Sequence, residues 1–231
     1  NYVGRTTVDY LNGCTYDRPL FLWCGFAGPH DPFDVTEPYL RMYDDVDVPD
    51  PVGWEGELET KPPPQQAAMD GMEGKHSPAA VWWSRATPDR IRRMRKHYYA
   101  NITLMDDWVG RIVAAVEAKG QLDNTLIVWG SELGDGWHGY SRYCPVLIGG
   151  AWAFKTGRYL HWPHETPAEM RVPSQVLTGG TSSVSGIPHQ KLLVSVARAM
   201  GLDADHVGLE HVRGQRGDFI DVTGPLHGLT A

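Results

Sequence analysis

A chain of 231 residues, of which 42% are hydrophobic, is long enough to bury one substantial core and does not have the composition of a disordered protein. The formal net charge is −7 and the basic residues are not gathered into patches, which argues against a nucleic-acid partner. Only residues 90–96 are densely basic, and we interpret them as the solvated start of a helix. No apolar run has the length needed to span a bilayer, so we expect no membrane partner.

The first predicted elements are a short helix at about residues 3–11 and a buried strand at residues 20–26. The strand is predicted from an unbroken apolar run, which stops at the break formed by Gly28 and Pro29. This break places His30 and Asp31 at the carboxyl end of the strand, the edge at which open α/β sheets bind ligands. His30 is therefore a candidate site residue; the alternative is a turn residue whose ring caps a backbone group.

Residues 31–88 lack regular periodicity, are rich in proline and have an acidic middle. They predict a long surface excursion with local turns, which is too long to be a mere connection in a compact domain. We expect either a lid over the site at His30 or an ordered insert packed by Trp54, Trp82 and Trp83.

A long helix follows this excursion. Thr87 is its candidate N-cap, Pro88 occupies the first helical position, and apolar residues recur at helical spacing until the stop at Gly120. Asn101 begins a glycosylation sequon, but the motif falls in the middle of this helix, so we interpret it as incidental.

Two further apolar runs, residues 126–130 and 145–150, end at glycine and predict buried strands. The long helix connects the strand at residues 20–26 to the strand at 126–130, and a right-handed crossover predicts that these two strands are parallel. Their carboxyl ends would then share one edge of the sheet. The rest of the chain divides into a loop, a last amphipathic helix and a tail with weak preferences, at residues 163–187, 188–200 and 203–231.

Two stretches of this sequence resemble the sulfatases of the alkaline phosphatase superfamily. They are the Pro-His-Asp-Pro-Phe segment at residues 29–33 and the long helix with its following strand, residues 98–129. In sulfatases a strand ending in Pro-His-x-Pro-Phe delivers a histidine to the sulfate group, so the resemblance implies this role for His30. It also implies an α/β fold of the alkaline-phosphatase-like type. We expect a three-layer sandwich with a mostly parallel central sheet, incomplete here, forming one domain over residues 1–231.

The loop after the second strand occupies the place of the metal-binding turn of sulfatases. The resemblance implies that Glu132 is a ligand of a divalent cation, Ca²⁺ or Mg²⁺, because its carboxylate offers the oxygen atoms that such hard cations prefer. Leu133 stands where a second ligand is expected and offers none. The coordination would be one ligand short unless Asp135 or His138 compensates, so we expect weak cation binding by this chain alone.

Two other parts of the sulfatase site depart from the family pattern. The lysine that binds the transferred group is missing between the metal turn and the next strand, and Arg142 or Lys155 could supply the positive charge instead. The nucleophile motif Cys/Ser-x-Pro-x-Arg is also missing. We therefore expect the chain to be the later part of a larger enzyme and not to hydrolyse aryl sulfates alone.

From about residue 122 onward the chain also resembles a family of uncharacterised bacterial proteins of the same superfamily. Our leading hypothesis is a metal-assisted hydrolase that acts on a small-molecule or glycan sulfate ester. One alternative is a non-catalytic secreted module of the same fold that binds sulfated or phosphorylated glycans, and another is a phosphatase or phosphomutase of the superfamily. The family resemblance implies a periplasmic or secreted location.

Overall fold

The computed structural model divides the chain into two compact units, Asn1–Lys119 and Gly120–Ala231. Within them it describes residues 2–30, 32–54, 56–63, 66, 87–131, 144–161, 170–173, 181–184, 187–213 and 219–230.

The first unit is built on two helices, α1 (Tyr2–Gly13) and α2 (Pro88–Ala118). Both helices were predicted, and the predicted start of α2 is confirmed because Thr87 Oγ1 accepts a hydrogen bond from the N–H of Arg90 at 3.3 Å. The side chains of Leu11, Ala100 and Leu104 are buried in this unit. No helix within the described residues is both long enough and apolar enough to cross a membrane.

Helices α1 and α2 approach each other closely at Gly4. A Cβ atom at this position would lie 2.3 Å from the indole ring of Trp108 on α2, so only glycine fits without a shift of the ring. Further along α1, Thr7 Oγ1 and Cys24 Sγ are 3.3 Å apart, a contact that joins α1 to the apolar run at residues 20–26.

That apolar run is not the buried strand that its composition predicts. Residues 20–26 are irregular, and the rings of Phe21 and Trp23 are 84% and 81% exposed. A strand is stabilised by a hydrogen-bonded neighbouring strand, and the described residues of the first unit provide none here. The predicted parallel crossover from residues 20–26 to residues 126–130 therefore lacks the first of its two strands.

Residues 32–54, which we call the α2 loop, contact helix α2 through polar groups. The hydroxyls of Tyr43 and Thr103 are 2.6 Å apart, and Lys96 Nζ donates to the carbonyl oxygen of Asp44 at 2.7 Å. The guanidinium of Arg92 donates to both carboxylate oxygens of Asp50, at 3.1 and 3.2 Å. The basic start of α2 thus contacts the acidic excursion as well as water.

The described part of the excursion contains two short 3-10 helices, Arg41–Tyr43 and Glu57–Thr60. Trp54, one of the three tryptophans expected to pack it, is 60% exposed. The other two, Trp82 and Trp83, lie outside the described residues.

The second unit begins with strands β1 (Leu126–Trp129) and β2 (Val146–Gly149), which confirm two predicted strands. They pair antiparallel, with Leu126 opposite Gly149. Gly149 has a φ of 79°, and a Cβ atom there would lie 2.4 Å from the carbonyl oxygen of Thr125, which explains why glycine ends this strand.

Two more antiparallel strand pairs were not predicted. The expected loop at residues 163–187 contains β3 (Met170–Pro173) and β4 (Thr181–Val184), and the expected weak tail contains β5 (His211–Arg213) and β6 (Phe219–Asp221). Short strands without clear alternation are hard to tell from loops by sequence, because pairing rather than composition stabilises them. The last predicted helix is confirmed as α3 (Gln190–Ala199).

In the core of the second unit, helix α3 packs with residues that precede it and residues that follow it in the chain. Its buried side chains are Phe154, Leu192, Leu226 and Leu229. Ser195 on α3 is buried among them: its hydroxyl accepts a hydrogen bond from the N–H of Leu226 at 2.8 Å and donates one to the carbonyl of Lys191 at 2.9 Å. The tail therefore contributes Leu226 and Leu229 to the core of this unit.

Candidate functional site

His30 lies in a tight turn that follows the apolar run. Its N–H donates to the carbonyl oxygen of Ala27 at 3.3 Å, and the peptide bond between Gly28 and Pro29 is cis. A second tight bond follows, from the N–H of Asp34 to the carbonyl of Pro32 at 2.7 Å. The chain reversal brings the imidazole of His30 and the carboxylate of Asp34 to one small cavity.

This cavity has a volume of about 280 Å³ and lies between the turn and helix α2. The helix contributes Asn101, which is only 7% exposed. A Cβ atom at Gly28 would lie 3.4 Å from Asn101 Oδ1 and 3.6 Å from Met105 Sδ, so the turn packs against the helix at ordinary contact distance. The lining residues are Ala27, Gly28, His30, Pro32, Asp34 and Asn101.

The turn is held against α2 on the far side of His30 as well. His97 Nδ1 is 3.1 Å from the carbonyl oxygen of Phe33, and the rings of Phe33 and Tyr98 meet edge to face with centroids 5.7 Å apart. These contacts fix the backbone that presents His30 and Asp34.

About three turns further along α2, a second polar cluster attaches the α2 loop. The hydroxyl of Tyr39 donates to the carboxylate of Asp107, which also pairs with Arg111 Nη2 at 2.9 Å. The hydrogen bond from Tyr39, with Arg111 adding to it, lowers the pKa of Asp107 below its ordinary value. The same hydrogen bond raises the pKa of Tyr39. Asp107 is thus a structural anion.

The structure describes only two of the side chains predicted for the site. His30 lines the cavity, and Lys155 lies in the second unit with an exposed side chain, its backbone N–H donating to the carbonyl of Leu229 at 3.1 Å. The remaining predicted residues lie outside the described residues; they are Asp31, Glu132, Asp135, His138 and Arg142.

The described residues do not assemble a metal site by themselves. Among them, no group of three or more histidine, cysteine, aspartate or glutamate side chains is arranged to hold a metal ion. The three cysteines, Cys14, Cys24 and Cys144, are free thiols. Glu132, the predicted cation ligand, lies outside the described residues, and we derive no reaction step through a cation.

Sequence reasoning overlooked Asn101 and Asp34 as lining residues. Asn101 had a signal that could have identified it: it follows Tyr98 by three positions and precedes Met105 by four, which places it on the apolar stripe of α2. A polar residue on a buried stripe calls for a partner or a function. For Asp34 the sequence offers no comparable signal, because acidic residues are common in loops.

The comparison with known proteins identifies the family of this chain. The sulfatase family model matches residues 5–173, and the chain belongs to the sulfatase family. Membership confirms the resemblance drawn from the motifs and implies an alkaline-phosphatase-like α/β fold.

Three curated relatives illustrate the range of the family. An arylsulfatase of Clostridium perfringens is 29% identical over 140 residues, which cover 58% of this chain and 26% of the relative. The multifunctional alkaline phosphatase superfamily protein PehA of Trinickia caryophylli is 34% identical over 156 residues, covering 61% and 30%. A choline-sulfatase of Rhizobium meliloti is 29% identical over 118 residues, covering 51% and 22%. The chain thus spans less than a third of the length of each.

Proposed function

We propose that this chain carries part of the substrate site of a sulfate ester hydrolase, in which His30 contacts the sulfuryl group. The observation that carries the proposal is the cavity that the His30 turn forms with helix α2. Family membership and the names of the arylsulfatase and choline-sulfatase relatives support sulfate esters as the substrate class. The proposed substrate is a small-molecule or glycan sulfate ester.

The chemistry proposed for His30 is electrostatic. An imidazole N–H, more so when the ring is protonated, donates a hydrogen bond to an oxygen on which negative charge develops as sulfate is transferred. In the same proposal Arg142 and Lys155 supply further positive charge. Glu132, with Asp135 or His138, would hold the divalent cation, Ca²⁺ or Mg²⁺, which when bound neutralises sulfate oxygens.

The finer features of the fold belong to this proposal as well. We propose that the chain forms part of a three-layer sandwich with a mostly parallel central sheet, to which the antiparallel pair β1 and β2 adds a local hairpin. A periplasmic or secreted location is proposed from the family resemblance alone.

A second candidate function is hydrolysis of phosphate esters. The observation in its favour is the 34% identity to a relative described as a multifunctional member of the alkaline phosphatase superfamily. Sulfuryl and phosphoryl groups are both tetrahedral oxyanions, so a cavity that presents an imidazole can serve either.

The test of the proposal is a titration with inorganic sulfate, followed by NMR through the backbone amide signals of the residues that line the cavity. We expect saturable shifts in the wild-type chain, loss of binding in His30→Ala and unchanged binding in His227→Ala, a substitution of an exposed histidine in the second unit. Equal binding by both variants would contradict the proposal.

Turnover is measured in parallel with chromogenic aryl sulfate and aryl phosphate in the presence of Ca²⁺. Because the nucleophile motif is missing, we expect no turnover by this chain alone. If the wild-type chain hydrolyses aryl sulfate and His30→Ala does not, this chain needs no Cys/Ser-x-Pro-x-Arg motif for catalysis. A preference for aryl phosphate would favour phosphate ester hydrolysis, the second candidate function. Sulfate binding without turnover is the behaviour expected both of an incomplete enzyme and of a non-catalytic module.

A further inference from the structure

We infer that Asn101 is a second binding residue of the His30 cavity, donating a hydrogen bond from Nδ2 to an oxygen of a bound sulfate or sulfuryl group. The inference rests on the proposed function and adds a neutral donor from helix α2 to the imidazole from the turn. Such a residue would select small tetrahedral oxyanions over apolar ligands.

The burial of Asn101 is the first observation behind this inference. The residue is 7% exposed as a whole, it lines the cavity, and no hydrogen bond joins its side-chain amide to another of the described residues. An apolar residue would pack on this stripe without the cost of removing a carboxamide from bulk water. A polar side chain at this position is therefore best explained by a ligand that completes its hydrogen bonds.

The position of the His30 turn indicates how the side-chain amide of Asn101 is oriented. Asn101 Oδ1 is the atom nearest to the position of a Gly28 Cβ, at 3.4 Å, so the acceptor end of the amide faces the turn. Its two Nδ2 hydrogens are then available to a group in the cavity. An oxyanion, which offers only acceptors, matches such a donor.

The sequon reading of Asn101 fits the structure poorly. Attachment of a glycan requires an accessible Nδ2, but Asn101 lies in the middle of α2 and is almost fully buried. Glycosylation therefore does not explain why a polar residue stands at this position. Recognition of a ligand in the cavity explains it better.

The cavity also limits what can bind. Its volume of about 280 Å³ lies just below the range of about 300–1,000 Å³ that is usual for small-molecule sites, so it accepts one small group rather than a length of polysaccharide. The carboxylate of Asp34 lines the same cavity and opposes an anion there. Neutralising it in Asp34→Asn should therefore strengthen sulfate binding.

The experiment compares the wild-type chain with Asn101→Ala, Asn101→Asp and Asp34→Asn, using inorganic sulfate as the probe. NMR follows the ring of His30 and the side-chain Nδ2 signals of Asn101, and thermal unfolding followed by circular dichroism reports whether each variant is folded. We expect sulfate to shift both sets of signals. Asn101→Ala should weaken binding about tenfold, the loss expected for one hydrogen bond to a charged group. Asn101→Asp should weaken it further, because it adds a negative charge.

The outcomes separate this inference from the proposed function. If sulfate shifts the His30 ring but Asn101→Ala binds it as tightly as the wild type, Asn101 is only structural and the inference is wrong. If sulfate shifts neither residue, both the inference and the proposed function fail. If Asn101→Asp does not fold, Asn101→Ala decides, since alanine removes the amide without adding charge and suits a helix.

Discussion

Asn101 and Asp107 are both polar residues on helix α2, but their side chains have different surroundings. Asp107 has its hydrogen bonds satisfied by Tyr39 and Arg111, whereas the amide of Asn101 lines a cavity. A polar group whose hydrogen bonds are made within the protein stabilises an attachment, whereas one that lines a cavity is available to a ligand. At the scale of single residues, the partner of a side chain is therefore more informative than its type.

The attachment at Asp107 should make stability depend on pH. Because the folded-state pKa of Asp107 lies below its ordinary value of 3.8, the stabilisation is fully present above that value and is lost as pH falls through the folded-state pKa. The urea midpoint of the wild type should exceed that of Asp107→Asn at pH 7, and the difference should shrink as pH falls towards 2.

Asp106→Asn is the matched control, since Asp106 is the exposed neighbour on the same helix. It should leave the midpoint nearly unchanged at every pH. A difference between wild type and Asp107→Asn that stays constant from pH 7 to the acid limit would contradict this account.

At the scale of elements, helix α2 is the support on which the first unit is assembled. Its N-terminal part binds the acidic α2 loop, its middle lines the cavity, and Trp108 packs on α1. A single long helix that makes different contacts along its length can position His30 without a strand at residues 20–26. The site geometry in this unit thus depends on helix packing.

The packing of α1 on α2 should be sensitive to one methyl group. In Gly4→Ala the new Cβ would lie 2.3 Å from the Trp108 ring, and overpacking of this kind costs about 1–3 kcal/mol in the free energy of unfolding. Gly13→Ala, in the same helix, has nothing within 4 Å of its Cβ and should change that free energy by less than about 1 kcal/mol. Chemical denaturation of both variants, with tryptophan fluorescence, checks the difference; equal costs would contradict the packing at Gly4.

At the scale of the whole molecule, each compact unit has its own buried side chains. In the second unit these come from distant parts of the chain, because Phe154 and α3 are covered by the tail. Arg158 Nη2 strengthens this closure by donating to the carbonyl of Gly228 at 2.8 Å. The tail therefore contributes to the stability of the unit in spite of its weak local preferences.

The contribution of the tail can be measured with two leucines. Leu226→Ala removes a side chain that is 8% exposed and should cost about 2–5 kcal/mol of unfolding free energy. Leu209→Ala, also in the tail, removes a side chain that is 69% exposed and should change stability by no more than about 0.5 kcal/mol. Equal effects of the two substitutions in urea unfolding would show that the tail does not close the core.

Local signals were sufficient for the three helices and for β1 and β2. Helical periodicity, the Thr87 cap and the glycine at the end of each strand act between residues that are close in the chain, so they can be recognised from the sequence. The Pro-His-Asp-Pro-Phe segment and the pattern of α2 likewise pointed to the sulfatase family, which the comparison with known proteins shows.

Long-range contacts account for what could not be predicted. The exposure of Phe21 and Trp23, the antiparallel pairing of β1 with β2 and the strands of the tail all depend on which distant segment lies alongside. The placement of Asn101 and His30 around one cavity is of the same kind, since seventy-one positions separate them in the chain. The local sequence around a residue does not reveal such neighbours, because they are determined by the packing of segments that are distant in the chain.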